Sequence, residues 1–143
     1  MSCCCSEKKV VTAEKGPKAI GPYSVGVTVG GLVFISGQLG LVPETGIMVE
    51  GGIEAETRQA LQNLKAILEA AGSGLDNVVK TTVFLRDMND FARMNAVYAE
   101  FFTHDAPARS AFQVAALPKN GAVEIEAIAA KPCDCEKDHC SCK

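Results

Sequence analysis

Ile53-Glu54-Ala55-Glu56-Thr57-Arg58-Gln59-Ala60-Leu61-Gln62-Asn63-Leu64-Lys65-Ala66-Ile67-Leu68-Glu69-Ala70-Ala71, followed after Gly72-Ser73-Gly74 by Val78-Val79-Lys80-Thr81-Thr82-Val83-Phe84-Leu85-Arg86, decides the fold class. In the first segment Thr57, Ala60, Leu61, Leu64, Ile67, Leu68 and Ala71 recur at the three-and-four spacing of one helical stripe. Glu54 and Arg58 form an expected exposed pair one turn apart, and Gly72 supplies the left-handed stop. The second segment is rich in β-branched and aromatic residues and reads as the strand to which the helix returns. An apolar helical stripe next to such a strand predicts a helix lying on a sheet.

Working outward, Asp87 or Asn89 caps a second expected helix from about Asp90 to Phe102, with Phe91, Met94, Tyr98, Phe101 and Phe102 on its apolar side. Upstream, Val25, Val27 and Val29 alternate up to Gly30-Gly31, and a strand resumes over residues 32–38, which predicts a tight hairpin. Downstream, residues 110–117 and 122–130 flank Pro118-Lys119-Asn120-Gly121, where Asn-Gly suggests a second tight turn. A short strand near residues 10–13 opens the domain. The order β, ββ, α, β, α, ββ predicts an α+β layer: a six-stranded mixed sheet with two helices on one face.

Two helices leave the other sheet face bare. Leu32, Phe34 and Ser36 point one way from their strand and Val33 and Ile35 the other, and both sets are mainly apolar. The expectation is self-association through the second face; a greasy monomer surface is the alternative.

Composition limits the function. The 143 residues are 48% hydrophobic and 22% charged, ordinary for a folded protein. Fourteen Lys plus Arg against 17 Asp plus Glu give a net charge of −3, without the basic footprint of a nucleic-acid binder. No run approaches a membrane span, no secretory h-region is readable after Met1, and a reducing, cytoplasmic location is expected. The expected organisation is a tail over residues 1–9, a domain over 10–130 and a second tail over 131–143. All seven cysteines fall in the tails: Cys3, Cys4, Cys5, Cys133, Cys135, Cys140 and Cys142. The four C-terminal thiols, in two Cys-x-Cys pairs beside His139, suit a soft metal ion; an exposed thiol tail is the alternative.

Within the domain, Ala106-Pro107-Ala108-Arg109-Ser110 sets an arginine at a strand entrance, where a guanidinium can grip a carboxylate through two parallel hydrogen bonds. The same pattern also describes a surface arginine. Glu124 and Glu126 alternate along Val123-Glu124-Ile125-Glu126-Ala127 and share a face, as an acid–base pair or as the polar side of an edge strand. Forced together, two carboxylates raise one pKa. Asn95, on the Phe91 to Tyr98 side, is a site wall or a loop cap. Gly21-Pro22-Tyr23-Ser24 reads as a turn carrying a phenol, and Ser36-Gly37-Gln38 ends an apolar strand with a glycine that permits close approach. No phosphate-binding glycine loop, P-loop or Gly-x-Ser-x-Gly elbow is present, and His104 and His139 have no serine or domain cysteine nearby in sequence to activate.

Taken together, Ala19-Ile20-Gly21-Pro22-Tyr23-Ser24, Ile35-Ser36-Gly37-Gln38, the strand over residues 79–85, Met94-Asn95-Ala96-Val97-Tyr98, Pro107-Ala108-Arg109-Ser110 and Glu124-Ile125-Glu126-Ala127 resemble the Rid/YjgF family of reactive imine deaminases. The resemblance covers residues 10–130 and implies a chorismate-mutase-like homotrimer with clefts between subunits. It implies hydrolysis of 2-iminopropanoate and 2-iminobutanoate, released by pyridoxal-phosphate enzymes, to 2-keto acids and ammonia without a required cofactor. On that reading Arg109 holds the substrate carboxylate and Glu124 orients or deprotonates water. Tyr23 joins them in the cleft, and Ser36, Gly37, Asn95, Ser110 and Ala111 contact the substrate. The chain departs from some members by carrying Ala111 two residues after the arginine, where they have cysteine, by Val25 in place of glutamine after Gly-Pro-Tyr-Ser, and by a shorter segment between Phe102 and Pro107. The alternative function is a non-catalytic stress protein or holdase whose tails sense oxidant or bind metal.

Overall fold

In the computed structural model, which describes residues 7–132, the helix α1 spans Ile53–Ala70. Its stripe is shut away from solvent: Thr57, Ala60, Leu61, Leu64, Ile67 and Leu68 are all fully buried. At its end Gly72, with φ 80°, donates its N–H to Glu69 O at 3.1 Å, and Ser73 N–H reaches Leu68 O at 2.9 Å. This is the paired closure that a left-handed residue after a helix makes possible.

The strands are β1 (Lys9–Val11), β2 (Gly26–Val29), β3 (Leu32–Leu39), β4 (Val78–Leu85), β5 (Ala108–Gln113) and β6 (Val123–Ala130), with α2 (Phe91–Phe101) between β4 and β5. They form one sheet in the order β1-β2-β3-β6-β4-β5, antiparallel except for the β4–β5 pair. The α+β layer expected from the sequence is therefore present, and both helices pack on one face. Val33 and Ile35 of β3, Val83 and Leu85 of β4 and Val123, Ile125, Ala127 and Ala129 of β6 share a core with α1 and with Met94 and Tyr98 of α2.

Polar groups tie α1 to the sheet. The buried Glu56 carboxylate accepts the Ala122 N–H at 2.9 Å, and Asn63 Nδ2 donates to Leu39 O and Leu41 O at 3.2 and 2.8 Å. The chain leaves β3 directly against the helix at Gly40, where a β-carbon would lie 2.7 Å from Glu56 Cα. Only glycine fits.

The opposite face carries a row of side chains across the register Val10, Val27, Phe34, Ile128 and Lys80. Val10 and Phe34 are 62% and 36% exposed, with Leu32 and Phe112 also open. This is the bare apolar face that the alternation in β3 predicts. Among the described residues no helix is long and apolar enough to cross a membrane.

Three expectations are corrected. The segments either side of Pro118-Lys119-Asn120-Gly121 do not pair, because β4 lies between β5 and β6; the positive φ angles fall on Lys119 and Asn120, not on Gly121. Accordingly β5 ends at Gln113, since it needs to match only β4. Arg58 pairs with Glu100 of α2 at 3.0 Å, joining the two helices. Lastly, Asp87 caps a single 3-10 turn through the Asn89 N–H, so α2 itself starts at Phe91.

The contact at Gly40 is testable: Gly40→Ala forces β3 and α1 apart, with an expected loss of about 1–3 kcal/mol of stability, read as a lower denaturant midpoint.

Candidate functional site

Two clusters of the expected site residues form, on opposite faces of the sheet. The first lies on the helix side, at the rim. Arg109 is the second residue of β5, an edge strand, and its side chain turns toward α2. Its Nη1 donates to Asn95 Oδ1 at 2.8 Å. The guanidinium carbon stands 4.7 Å from the centre of the Tyr98 ring and 5.6 Å from that of Phe91. Tyr98 is itself fixed by a 2.7 Å hydrogen bond with Thr81 Oγ1. Burial raises the Tyr98 pKa against the opposing pull of the Thr81 bond and of the Arg109 charge, so the phenol stays neutral under the cation. The ion pairs of the described residues are Arg58–Glu100, Lys65–Glu69 and Arg93–Asp90; Arg109 belongs to none of them. A half-buried guanidinium held by an amide and two rings, with no carboxylate on it, has the chemistry to receive an anion. Asn95 is thus a wall of this cluster and not a loop cap.

The second cluster lies on the bare face, where β3 carries a bulge: Ile35 pairs Ala127 and Gln38 pairs Ile125, leaving Ser36 and Gly37 together opposite Glu126. Ser36 Oγ donates to Ser24 O at 2.6 Å, tying the bulge to the turn of Tyr23. The Tyr23 hydroxyl accepts the Ile20 N–H at 3.2 Å while the ring remains 46% exposed. A cleft of about 420 Å³ opens here, lined by Tyr23, Phe34, Ser36, Lys80, Thr82 and Glu126 among others.

Glu124 crosses directly over the bulge. A β-carbon on Gly37 would fall 2.1 Å from Glu124 Oε1, so glycine at 37 is what admits the carboxylate. Burial, and then the charge of Glu126, raise the Glu124 pKa. The strand β6 is interior, flanked by β3 and β4, so the reading of these glutamates as the polar side of an edge strand is overturned.

Tyr23, Ser36, Gly37 and Glu124 are thus gathered in one place, with Ser110 on the same face, where it accepts from Lys80 Nζ at 3.1 Å. Arg109, Asn95 and Ala111 are on the other side; Ala111 packs against the core. Within one chain Arg109 does not meet Glu124. Sequence reading overlooked Tyr98 as the ring under Arg109 and Lys80 as a cleft residue. A lysine as the one charged residue of β4 was the available signal for the latter. Val25 lies in the core, 8% exposed, so its substitution for glutamine places an aliphatic group under the turn. The expected metal ligands Cys133, Cys135, Cys140 and Cys142 lie outside the described residues.

Comparison with known proteins agrees with this architecture. Residues 13–131 match the family model described as Endoribonuclease L-PSP. A RutC family protein of Pyrococcus horikoshii is 55% identical over 124 residues, covering 87% of this chain and 98% of its own. A Mus musculus protein named 2-iminobutanoate/2-iminopropanoate deaminase is 55% identical over 122 residues, 85% of this chain and 90% of its own. Among solved structures, RidA from a Psychrobacter species superposes with a TM-score of 0.83 at 49% identity, covering 85% of this chain and 98% of that one. E. coli TdcF, solved with bound serine, gives 0.82 at 46% identity over 87% and 99% of the two chains. A match along nearly the whole described fold, at half identity, with the motifs around Tyr23, Ser36, Arg109 and Glu124 inside it, establishes that the chain belongs to the Rid/YjgF family, the family of the Endoribonuclease L-PSP model.

Proposed function

We propose that the protein is a deaminase of small reactive 2-imino acids, 2-iminopropanoate and 2-iminobutanoate among them, acting as a homotrimer in the cytoplasm with its sites between subunits. The observation that carries this reading is the Arg109 guanidinium, positioned by Asn95 Oδ1 and two rings with no carboxylate of its own. It is built to receive the one group that every 2-imino acid carries. The name of the mouse relative and the serine bound to E. coli TdcF support a small carboxylate-bearing ligand.

The opposite placement of the two clusters supports assembly. Arg109 sits on the rim strand and Glu124 on the bare face, so one copy's rim meeting a second copy's face completes the pair. That contact also removes Leu32, Phe34 and Phe112 from water.

Chemically the task is modest. The imine carbon is already electrophilic, and holding it by its carboxylate beside a positioned water supplies most of what is needed. Glu124, whose pKa lies above the ordinary carboxylate range, accepts a proton from that water as the C–O bond forms. The imine nitrogen takes up a proton, and the tetrahedral carbinolamine then loses ammonia as its hydroxyl becomes the ketone. R–C(=NH)–COO⁻ plus water gives R–CO–COO⁻ plus NH₃. No step calls on a cofactor or a metal. Macromolecular RNA is not the proposed substrate, since the chain is net negative and the receptor is matched to one carboxylate.

The test is keto-acid and ammonia release from freshly generated 2-iminopropanoate, run beside an RNA-cleavage assay. Arg109→Ala is expected to lower kcat/KM by about 10- to 200-fold, the worth of hydrogen bonds to a charged group, and Arg109→Lys to recover part of that. Undiminished turnover in the Ala variant, or RNA cleavage without imine turnover, overturns the proposal.

Glu124 gives a prediction of opposite sign for stability and activity. Because folding raises its pKa, its contribution to stability is complete below the ordinary carboxylate range and is lost as pH rises through the raised value. Glu124→Gln is therefore expected to slow turnover while raising Tm near neutral pH, with the gain in Tm shrinking as the pH is lowered to about 4. A Tm difference independent of pH contradicts it. In the same site, Gly37→Ala is expected to displace the Glu124 carboxylate and reduce kcat, with far-ultraviolet circular dichroism unchanged.

A further inference from the structure

Carboxylate, imine and water each have a partner in the proposed site, but the group R that distinguishes one 2-imino acid from another has none. A small pocket of about 30 Å³ lies between the segment 17–25 and the end of β3, lined by Ile20, Tyr23, Val25, Gly37, Leu39 and Leu41 among others. Tyr23 also lines the larger cleft on the bare face, so the two adjoin. Gly37 is the residue over which Glu124 crosses, with the carboxylate oxygen 2.1 Å from where a β-carbon would stand. A carbon placed for attack beside Glu124 therefore reaches this pocket through its own substituent.

The walls are fixed before any ligand arrives. Ser36 N–H donates to Val25 O at 2.9 Å and Ser36 Oγ to Ser24 O at 2.6 Å, which bind the turn to the bulge. Within the turn, Tyr23 N–H donates to Gly21 O at 2.9 Å and the Tyr23 hydroxyl accepts the Ile20 N–H at 3.2 Å. Val25, Leu39 and Leu41 are buried, whereas the Ile20 side chain is 56% exposed and forms the open side. Of the polar residues at the pocket, Gln38 has its amide engaged, Nε2 donating to Ser36 O at 2.9 Å, and Lys18 is exposed. The aliphatic walls suit an alkyl group, which gains by leaving water.

We infer that this pocket is the side-chain subsite of the enzyme and limits R to methyl or ethyl, with Val25 and Ile20 as the specificity-determining residues. The inference rests on the deaminase reading. A water-sized group needs roughly 10–15 Å³ of such space, so the pocket holds about two: the two carbons of an ethyl group. A branched or longer R meets Val25 on a backbone pinned by Ser36, and the buried Leu39 and Leu41 behind it, with little freedom to give way. Chain length is thus read by shape, apart from the charge that holds the carboxylate.

The experiment measures kcat/KM for the imines made freshly from alanine, 2-aminobutanoate and leucine, whose R groups are methyl, ethyl and isobutyl. Wild type, Val25→Ala and Ile20→Ala are compared. Wild type is expected to turn over the methyl and ethyl imines within about tenfold of each other, and the isobutyl imine at least about tenfold less well than the ethyl. Each substitution is expected to raise the isobutyl-to-ethyl ratio by about tenfold or more. The ratio is taken within one variant, so a general loss of active protein does not move it. Val25→Ala also opens the core and costs stability; Ile20→Ala, at an exposed position, keeps the test decisive where the other variant fails to fold. A wild type indifferent to R, or an unchanged ratio in the folded variants, overturns the subsite and leaves the deaminase reading standing. No turnover of any of the three imines by folded wild type overturns that reading, and the subsite with it.

Discussion

Without β6 the sheet is two pieces. The meander β1-β2-β3 and the parallel pair β4-β5 touch only through the strand inserted between them, and that strand is the last element of the domain. Its register with β3 on one side and β4 on the other sets the distance between the bulge of Ser36-Gly37 and the rim that carries Arg109. It also supplies four fully or nearly buried aliphatic residues to the core beneath α1 and α2. Pairing of this kind joins residues far apart in sequence, so the chain closes large loops before the central contacts reward it.

The two faces of β6 answer to different demands. Val123, Ile125, Ala127 and Ala129 are core residues, while Glu124 and Glu126 project from the same strand onto the bare side. A carboxylate set over a glycine and beside a second carboxylate is a poor choice for stability alone. Its raised pKa and the glycine that makes room for it are the kind of local conflict that accompanies chemistry rather than packing. The bare apolar surface is a conflict of the same sort in a single chain.

Much of this was readable in advance because period and turn chemistry act locally. The stripe from Thr57 to Ala71, the stop at Gly72, the Gly30-Gly31 hairpin and the two-faced alternation of β3 each depend on a few adjacent residues. What was misread depends on partners distant in sequence. Nothing within residues 108–130 announces that β4 will lie between β5 and β6, so Asn120-Gly121 looked like a hairpin turn. The same ignorance made the glutamates of β6 resemble an edge. Arg109 and Glu124 were each legible as candidate site residues, but their placement on opposite faces follows from strand order together with alternation, and strand order is not local.

Arg109 and Glu124 also define which chemistry these clusters support. Covalent catalysis needs a nucleophile with a base aimed at it, and the hydroxyl of Ser36, a residue lining the cleft, already donates to Ser24 O. His104 stands on the exposed turn after α2, bonded to Thr103. What the clusters provide instead is position and charge. One Arg109 N–H is spent on Asn95, and the rings of Tyr98 and Phe91 restrain the rest of the group, so binding a carboxylate costs little further ordering of the side chain. On the proposed function, a substrate whose reactive bond already hydrolyses in water gains most from orientation, and an arginine fixed in this way would deliver orientation through the carboxylate adjacent to the reacting carbon.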